Sequence, residues 1–122
     1  MPGLRFRNID VDVVGPPAPD LRDHFRKHAV LSRDEADGFS FEASEQQDDI
    51  DTCVADLVQM VHDLPSDLRA IWDSTEQRYF DAGFDLAAGT CSVVVELSGD
   101  SLSAMSGIGV RLRITLYPAL RS

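Results

Sequence analysis

Apolar residues recur at intervals of three and four between positions 50 and 64 of this 122-residue chain. The stripe consists of Ile50, Cys53, Val54, Leu57, Val58, Val61 and Leu64. Such spacing places apolar side chains along one side of an α-helix, whereas a strand would need strict alternation. Asp48, Asp49 and Asp51 open the segment, where acidic side chains complement the positive end of the helix dipole. We therefore predict a helix over residues 49–64 that buries its stripe against another element.

Several shorter segments alternate apolar and polar residues, which is the pattern of a strand with one buried face. The alternation predicts strands over residues 4–14, 39–43, 80–86, 91–97 and 110–117. A four-residue turn containing Gly89 would join the third and fourth of these as a hairpin. In the first segment the phase slips at Arg7 and Asn8. A β-bulge there, or pairing that starts only near Asn8, would keep the apolar residues on one face.

The remaining segments carry helix and turn signals. Three prolines end the first strand, after which Asp20 can cap a helix over residues 21–29. Residues 32–38 are polar and turn-rich, and Ser66 can cap a further helical turn after Pro65. Asp100 can cap a short helix over residues 102–106, with Gly107 as its left-handed terminator. The sequence thus predicts one α+β domain over residues 1–122. It would have an antiparallel or mixed sheet of about five strands, with two main helices packed on one face.

The opposite face of that sheet is polar in sequence. It would carry Asp10, Asp12, Ser40, Glu42, Asp81, Asp85, Ser92, Glu96, Arg111, Arg113, Thr115 and Tyr117. Such a face is solvated or forms a homodimer interface, and its paired carboxylates could bind a cation or share a proton. We favour the interpretation in which Arg111 and Arg113 neutralise the aspartates as cross-strand pairs, because both signs of charge occur at alternating positions.

Acidic residues are concentrated in the middle third of the chain. Residues 34–68 contain eleven Asp and Glu and no Lys or Arg, and the net charge of the protein is −10. This segment is either a solvated face that keeps the protein soluble or a docking surface for a basic protein partner. The candidate partner-binding residues are Asp34, Glu35, Asp37, Glu45, Asp48 and Asp49. The same charge disfavours binding of nucleic acid.

The sequence also indicates a cellular location. No apolar run approaches the length of a membrane span, and no apolar signal-peptide core follows the N-terminal residues. We therefore expect a cytoplasmic protein that does not associate with membranes. Cys53 and Cys91 both lie in apolar patterns, and we expect small buried hydrophobic residues rather than a disulfide.

Asp20, His24 and His28 recur every four residues on the predicted first helix. One helix face could present two imidazoles and a carboxylate to a metal ion. The same residues are also typical of surface charge or, for His28, of half-buried packing. His62, at the edge of the apolar stripe, fits a partly exposed histidine. We expect no bound cofactor and keep the first three residues as a candidate metal site.

From Asp48 onward the sequence resembles a bacterial family of small domains of unknown function. The resemblance rests on the patterns Asp48-Asp49-Ile50-Asp51, Leu57…Leu64-Pro65, Leu68…Ile71 and Leu102…Met105…Ile108-Gly109-Val110…Leu112…Ile114…Leu116-Tyr117. It covers roughly the last 75 residues. The family's Trp on the second strand is replaced by Phe39-Ser40-Phe41, and its glycine-rich opening strand is not matched. The resemblance implies a ferredoxin-like α+β sandwich and carries no activity with it.

Three functions follow from these features. The first is a non-catalytic interaction domain, immunity-like or an adaptor, that presents an acidic surface. The second is a metal- or small-molecule-binding sensor or enzyme that uses the first-helix histidines. The third is a structural homo-oligomer. We favour the first, because the acidic segment is the strongest signal and no nucleophile elbow, CxxC pair or dinucleotide loop indicates catalysis.

Overall fold

The computed structural model describes residues 3–119, which form five strands and four helices. The strands are β1 (Leu4–Val14), β2 (Val30–Glu35), β3 (Gly38–Glu42), β4 (Gln77–Leu86) and β5 (Arg111–Pro118). The helices are α1 (Pro19–His28), α2 (Ile50–His62), α3 (Ser66–Ser74) and α4 (Gly99–Gly107). The predicted α+β class is confirmed, although four helices are present where two main ones were expected.

The strands form one mixed sheet in the order β2-β3-β1-β4-β5. The pairs β2–β3, β3–β1 and β1–β4 are antiparallel, whereas β5 runs parallel to β4. A parallel neighbour needs a crossover connection, and here the crossover passes through α4. Of the two predicted alternatives, an antiparallel or a mixed sheet of about five strands, the sheet is the mixed one, but two of the segments that form it differ from the prediction.

The predicted strand over residues 91–97 is wrong. Residues 90–98 carry no strand pairing and lead from β4 into α4, with Val93 and Val94 exposed. Alternating valines favour a strand, but a strand also needs a free neighbouring edge. Because β4 is already paired with β1 on one side and β5 on the other, the predicted hairpin has no edge to occupy.

The fifth strand is β2, in a segment predicted to be turn. Only residues 36–37 form the turn, and Gly38 begins β3. A Cβ added at Gly38 would lie 2.3 Å from the Val13 carbonyl oxygen, so the close approach of β1 requires glycine there. Polar residues suit β2 because it lies at the edge of the sheet and its outer side meets solvent.

The phase slip in β1 is a β-bulge, as predicted. Phe6 lies opposite Phe84 and Asn8 lies opposite Gly83, which leaves Arg7 as the extra residue. The bulge lets Phe6 and Ile9 face the same side despite their odd spacing. The other predicted possibility, pairing that starts only near Asn8, is wrong because β1 pairs with β4 from Leu4 onward.

The apolar stripe of α2 packs into the core as predicted. Every member of the stripe is buried, and Val54, Leu57 and Val61 are almost completely so. They form one cluster with the apolar side chains of the sheet: Ile9, Val11, Val13, Phe39, Phe41, Phe80, Ala82 and Phe84. Leu21 and Phe25 of α1 join the same cluster, and the Phe25 ring stacks on Phe41 with centroids 4.0 Å apart.

Helix ends follow the predicted chemistry at α2 and depart from it elsewhere. Asp49 is the N-cap of α2 and accepts a hydrogen bond from the Thr52 amide at 3.0 Å. α1 instead begins at Pro19, so Asp20 lies inside its first turn rather than capping it. Neither Ser66 nor Asp100 is a cap, because α3 follows Pro65 and α4 is capped by Ser98. The positive-φ glycine after α4 is Gly109, not Gly107.

Two hydrogen-bonded contacts attach the smaller helices to the core. The fully buried Trp72 of α3 donates its indole N–H to the Ile108 carbonyl at 3.0 Å. Asp51 of α2 accepts from the Ser101 hydroxyl at 2.6 Å and from the Ser98 amide at 3.0 Å. These hydrogen bonds, led by that of Ser101, lower the pKa of the Asp51 carboxyl.

The two cysteines differ from each other. Cys53 is buried as predicted, whereas Cys91 is exposed because its segment is not a strand; both thiols are free.

None of the four helices in the described part of the chain has the length and apolar character that crossing a bilayer requires.

Leu57→Ala should lower the free energy of unfolding by about 2–5 kcal/mol, because it leaves a cavity under α2. Chemical denaturation monitored by Trp72 fluorescence would measure this change. The exposed Gln59→Ala is the matched control on the same helix and should change stability by less than about 0.5 kcal/mol. Equal effects of the two substitutions would contradict the packing of α2.

Candidate functional site

Carboxylates from three adjacent strands meet on the open face of the sheet. Asp12 of β1 lies opposite Ser40 of β3 and Tyr79 of β4, and Asp10 lies opposite Asp81. Strand alternation places these residues on one face, as predicted, because it points the intervening Val11 into the core. Ser92 and Glu96, predicted for this face, are not part of the sheet.

Arg113 of β5 neutralises two of these carboxylates. Its Nε donates to Asp81 Oδ2 at 3.0 Å, and its Nη2 donates to Asp12. The guanidinium also lies 4.7 Å from the centre of the Tyr79 ring. The second oxygen of the same carboxylate, Asp81 Oδ1, accepts a hydrogen bond from the Thr115 hydroxyl at 2.7 Å. The predicted cross-strand neutralisation is therefore confirmed for Arg113, whereas Arg111 forms no ion pair with the residues at positions 3–119.

Asp10 is the carboxyl of this face with the most perturbed acidity. Burial raises its pKa to about 6, and the charges of Glu42, Asp12 and Asp81 add to the effect. Asn8 bridges two of these groups, since its amide donates to Glu42 at 2.5 Å and to Asp10 at 3.4 Å. Asp10 therefore exchanges a proton close to neutral pH, which the sequence alone gave no reason to expect.

A cavity of about 200 Å³ opens beside Asn8 and Glu42. Its walls come from β1, β3, α2 and the loop between β3 and α2, and they include Ile9, Glu45 and Cys53. Burial raises the pKa of the Cys53 thiol to about 11, so the sulfur is protonated at neutral pH and is a poor nucleophile. Sequence reasoning missed this cavity because its walls lie far apart along the chain.

The histidines of α1 lie side by side. The rings of His24 and His28 are 4.5 Å apart between centroids, and burial, together with the charges of His28 and Lys27, lowers the pKa of His24. His28 is exposed rather than half-buried, and so is His62. Asp20 is exposed in the first turn of α1. Within residues 3–119, no group of three His, Cys, Asp or Glu side chains is arranged to hold a metal ion.

The six acidic residues proposed for partner binding separate into two groups at opposite ends of β3. Asp34, Glu35 and Asp37 lie at the β2–β3 turn, where arginines partly neutralise them. Asp34 is 3.0 Å from Arg26 and 3.6 Å from Arg22, while Arg33 lies 3.2 Å from Glu35 and 3.7 Å from Asp37. This end of the sheet therefore carries charge of both signs.

The other group, Glu45, Asp48 and Asp49, precedes α2 and continues along the helix. Asp49, Asp56 and Asp63 are spaced by seven residues, which is two turns, so they lie on one side of α2. We call these three residues the acidic row. Each accepts a hydrogen bond from a neutral neighbour: Asp49 from Thr52, Asp56 from Gln47 at 2.7 Å and Asp63 from Gln59 at 2.8 Å. The spacing of seven was available in the sequence and could have revealed the row.

No protein-family model, curated protein or solved structure is significantly similar to this chain. The resemblance to a bacterial family of unknown function therefore stays a prediction, and the site is interpreted from its own geometry.

Asp10→Asn should remove a pH-dependent loss of stability. Because the folded pKa of Asp10, about 6, exceeds the ordinary value of 3.8, the folded state holds a proton that the unfolded state releases between these pH values. Stability in the wild type thus falls as pH rises from about 4 to 7. The variant should be more stable than the wild type at pH 7 by about 1 kcal/mol, after allowance for solvent screening.

Urea unfolding across this pH range would measure the difference. The matched control is Asp37→Asn, whose side chain is 80% exposed at the β2–β3 turn and which should leave the pH profile unchanged. If the stability of the wild type and of Asp10→Asn changed with pH in the same way, folding would not be coupled to proton uptake by Asp10.

Proposed function

We propose that this protein is a non-catalytic interaction domain, immunity-like or an adaptor, that binds a basic protein partner. The contact surface is the acidic row on α2 together with Glu45 and Asp48 in the preceding loop. The observation that carries the proposal is that the negative charge of these carboxylates is not balanced by nearby basic side chains of residues 3–119. Within residues 3–119, none of these five carboxylates is within ion-pair distance of an Arg, Lys or His.

The position of Asp63 supports a role beyond solubility. It is the C-cap residue of α2, where the helix dipole presents partial negative charge. A carboxylate there opposes the dipole at a cost of about 0.3–1 kcal/mol, and within residues 3–119 it forms no ion pair that offsets this cost. A basic partner would remove this repulsion on binding, so the unfavourable charge contributes to affinity rather than to folding.

The length of the row suits a protein surface better than a small ligand. Asp49 and Asp63 are separated by fourteen residues, or about 21 Å at the rise of an α-helix. Charge spread over this distance steers a basic partner before contact and raises its association rate. The arginine-rich β2–β3 turn lies at the opposite end of β3 from Glu45, Asp48 and Asp49, where the acidic surface begins.

We further propose a cytoplasmic location and a ferredoxin-like core. Two free thiols, one of them exposed, are typical of a reducing compartment. The order β2-β3-β1-β4, with antiparallel pairing throughout and helices after β1 and β3, supports a βαββαβ sandwich. In this interpretation α3, α4 and the parallel strand β5 are additions to that sandwich.

The test begins with the full chain as an affinity bait in a lysate of its own organism. A captured basic protein would then be purified and titrated calorimetrically against wild type and Asp56→Asn/Asp63→Asn. We expect the double variant to bind at least about tenfold more weakly, because it removes steering charge. Added salt should weaken wild-type binding by screening the same charges.

The matched control is Asp73→Asn/Asp85→Asn, which changes the net charge equally but removes acids from α3 and β4. This variant should bind like the wild type. Asp63→Asn by itself should not reduce stability, since it removes a carboxylate from the negative end of α2. Equal affinity of wild type and Asp56→Asn/Asp63→Asn, or an affinity independent of salt, would refute the proposal.

A further inference from the structure

The two edges of the sheet are built differently. β2, at one edge, has a register irregularity between Leu31 and Arg33, and it carries Arg33, Asp34 and Glu35 in ion pairs. Bulges and charges are the features by which proteins prevent another strand from adding to an edge. β5, at the other edge, pairs with β4 in unbroken register and has no proline before Pro118. Its outer N–H and C=O groups therefore form a regular row that no bulge interrupts.

Exposed apolar residues are concentrated near this second edge. Of the eight large hydrophobic residues exposed in the described chain, four belong to β5 and one to α4, which precedes it. Leu112, Ile114 and Leu116 are 36%, 40% and 37% exposed, and Leu102 of α4 is 50% exposed. The three β5 residues alternate with the open-face residues, so they extend the apolar side of the sheet to its edge, where residues 3–119 leave them partly exposed.

From these features we propose that a second copy of this chain adds to β5, with the two β5 strands antiparallel about a two-fold axis at Ile114. This inference goes beyond the proposed binding of a basic partner and does not depend on it. In an antiparallel strand pair, two directly opposed residues point to the same side of the sheet. With a two-fold axis between the copies, the aliphatic side is therefore continuous only when the axis passes through a residue, so that even-numbered residues lie opposite even-numbered ones. The sequence of β5 then selects among these registers.

The register centred on Ile114 places aliphatic residues opposite aliphatic residues. Leu112 lies opposite Leu116 of the second copy, and Ile114 lies opposite itself, which joins the two aliphatic sides. On the open face, Arg113 lies opposite Thr115 of the second copy. Arg111 then faces Tyr117, whose ring already lies 4.4 Å from the guanidinium of Arg7 in the same chain. No two like charges are directly opposed in this arrangement.

The neighbouring registers are less favourable. Moving the axis to Arg113 places two guanidinium groups directly opposite each other, which is repulsive. Moving it to Thr115 places Leu112 opposite Pro118, which has no N–H to donate. The open face is a weaker candidate for self-association, because Arg113, Asp12 and Asp81 already satisfy one another within the chain. One strand pair buries little area, so we expect a dimer that dissociates on dilution.

Two measurements test the proposal. Analytical ultracentrifugation of the wild type over a concentration series should show the mass rising toward twice that of the monomer. Ile114→Lys places two like charges opposite each other and should weaken the dimer at least about tenfold. Val94→Lys is the matched control, since it adds the same charge at an exposed valine outside the sheet, and it should dimerise like the wild type.

Oxidative cross-linking tests the register without disturbing the charge. In a Cys91→Ser background, Ile114→Cys should form a disulfide-linked dimer, because opposed residues have Cα atoms about 4.5–5.5 Å apart. Leu112→Cys should not, since the two copies of residue 112 would be about 13 Å apart along the strands. A wild type that stays monomeric at every concentration would overturn the proposal. So would a dimer that survives Ile114→Lys, or one that cross-links through position 112 and not 114.

Discussion

The packing of the α2 stripe against the sheet is the contact on which the rest of the structure depends. It fixes the sheet face that is buried, since Ile9, Val11 and Val13 of β1 meet the stripe. It also fixes what lies outside: the opposite face of the sheet carries the carboxylates and Arg113, and the outer side of α2 carries the acidic row. Both polar surfaces are consequences of one apolar contact, because strand and helix periodicity oblige the remaining residues to face solvent.

The two polar surfaces differ in how their charge is compensated. On the open face, Arg113 lies between Asp12 and Asp81, so much of the negative charge is balanced within the chain. On α2, the hydrogen bonds that the carboxylates accept within residues 3–119 come from neutral partners such as Gln47 and Gln59. Hydrogen bonds of this kind orient a carboxylate without cancelling its charge. A distant basic protein would therefore sense α2 much more strongly than the open face.

The position of β5 links the fold to its remaining open surface. β4 has β1 as its antiparallel neighbour on one side, so the returning chain can pair only on the other side, after the crossover through α4. α4 is held close to α2 by Asp51 through Ser98 and Ser101. The aliphatic residues of β5 are consequently left half-exposed at the edge of the sheet. This geometry is what distinguishes β5 from the bulged and charged β2.

The sequence by itself determined the elements whose signals are local and periodic. These include α2 and the alternating strands β1, β3, β4 and β5, whereas the bulge at Arg7 and the pairing of Arg113 with open-face aspartates were each one of several possibilities that the sequence left open. Tertiary structure decided what depends on neighbours. Residues 91–97 alternate like a strand but find no free edge, whereas the polar residues of β2 become a strand because β3 offers one. It also decided the acidity of Asp10 and the cavity beside Cys53, since both arise from groups brought together from distant parts of the chain.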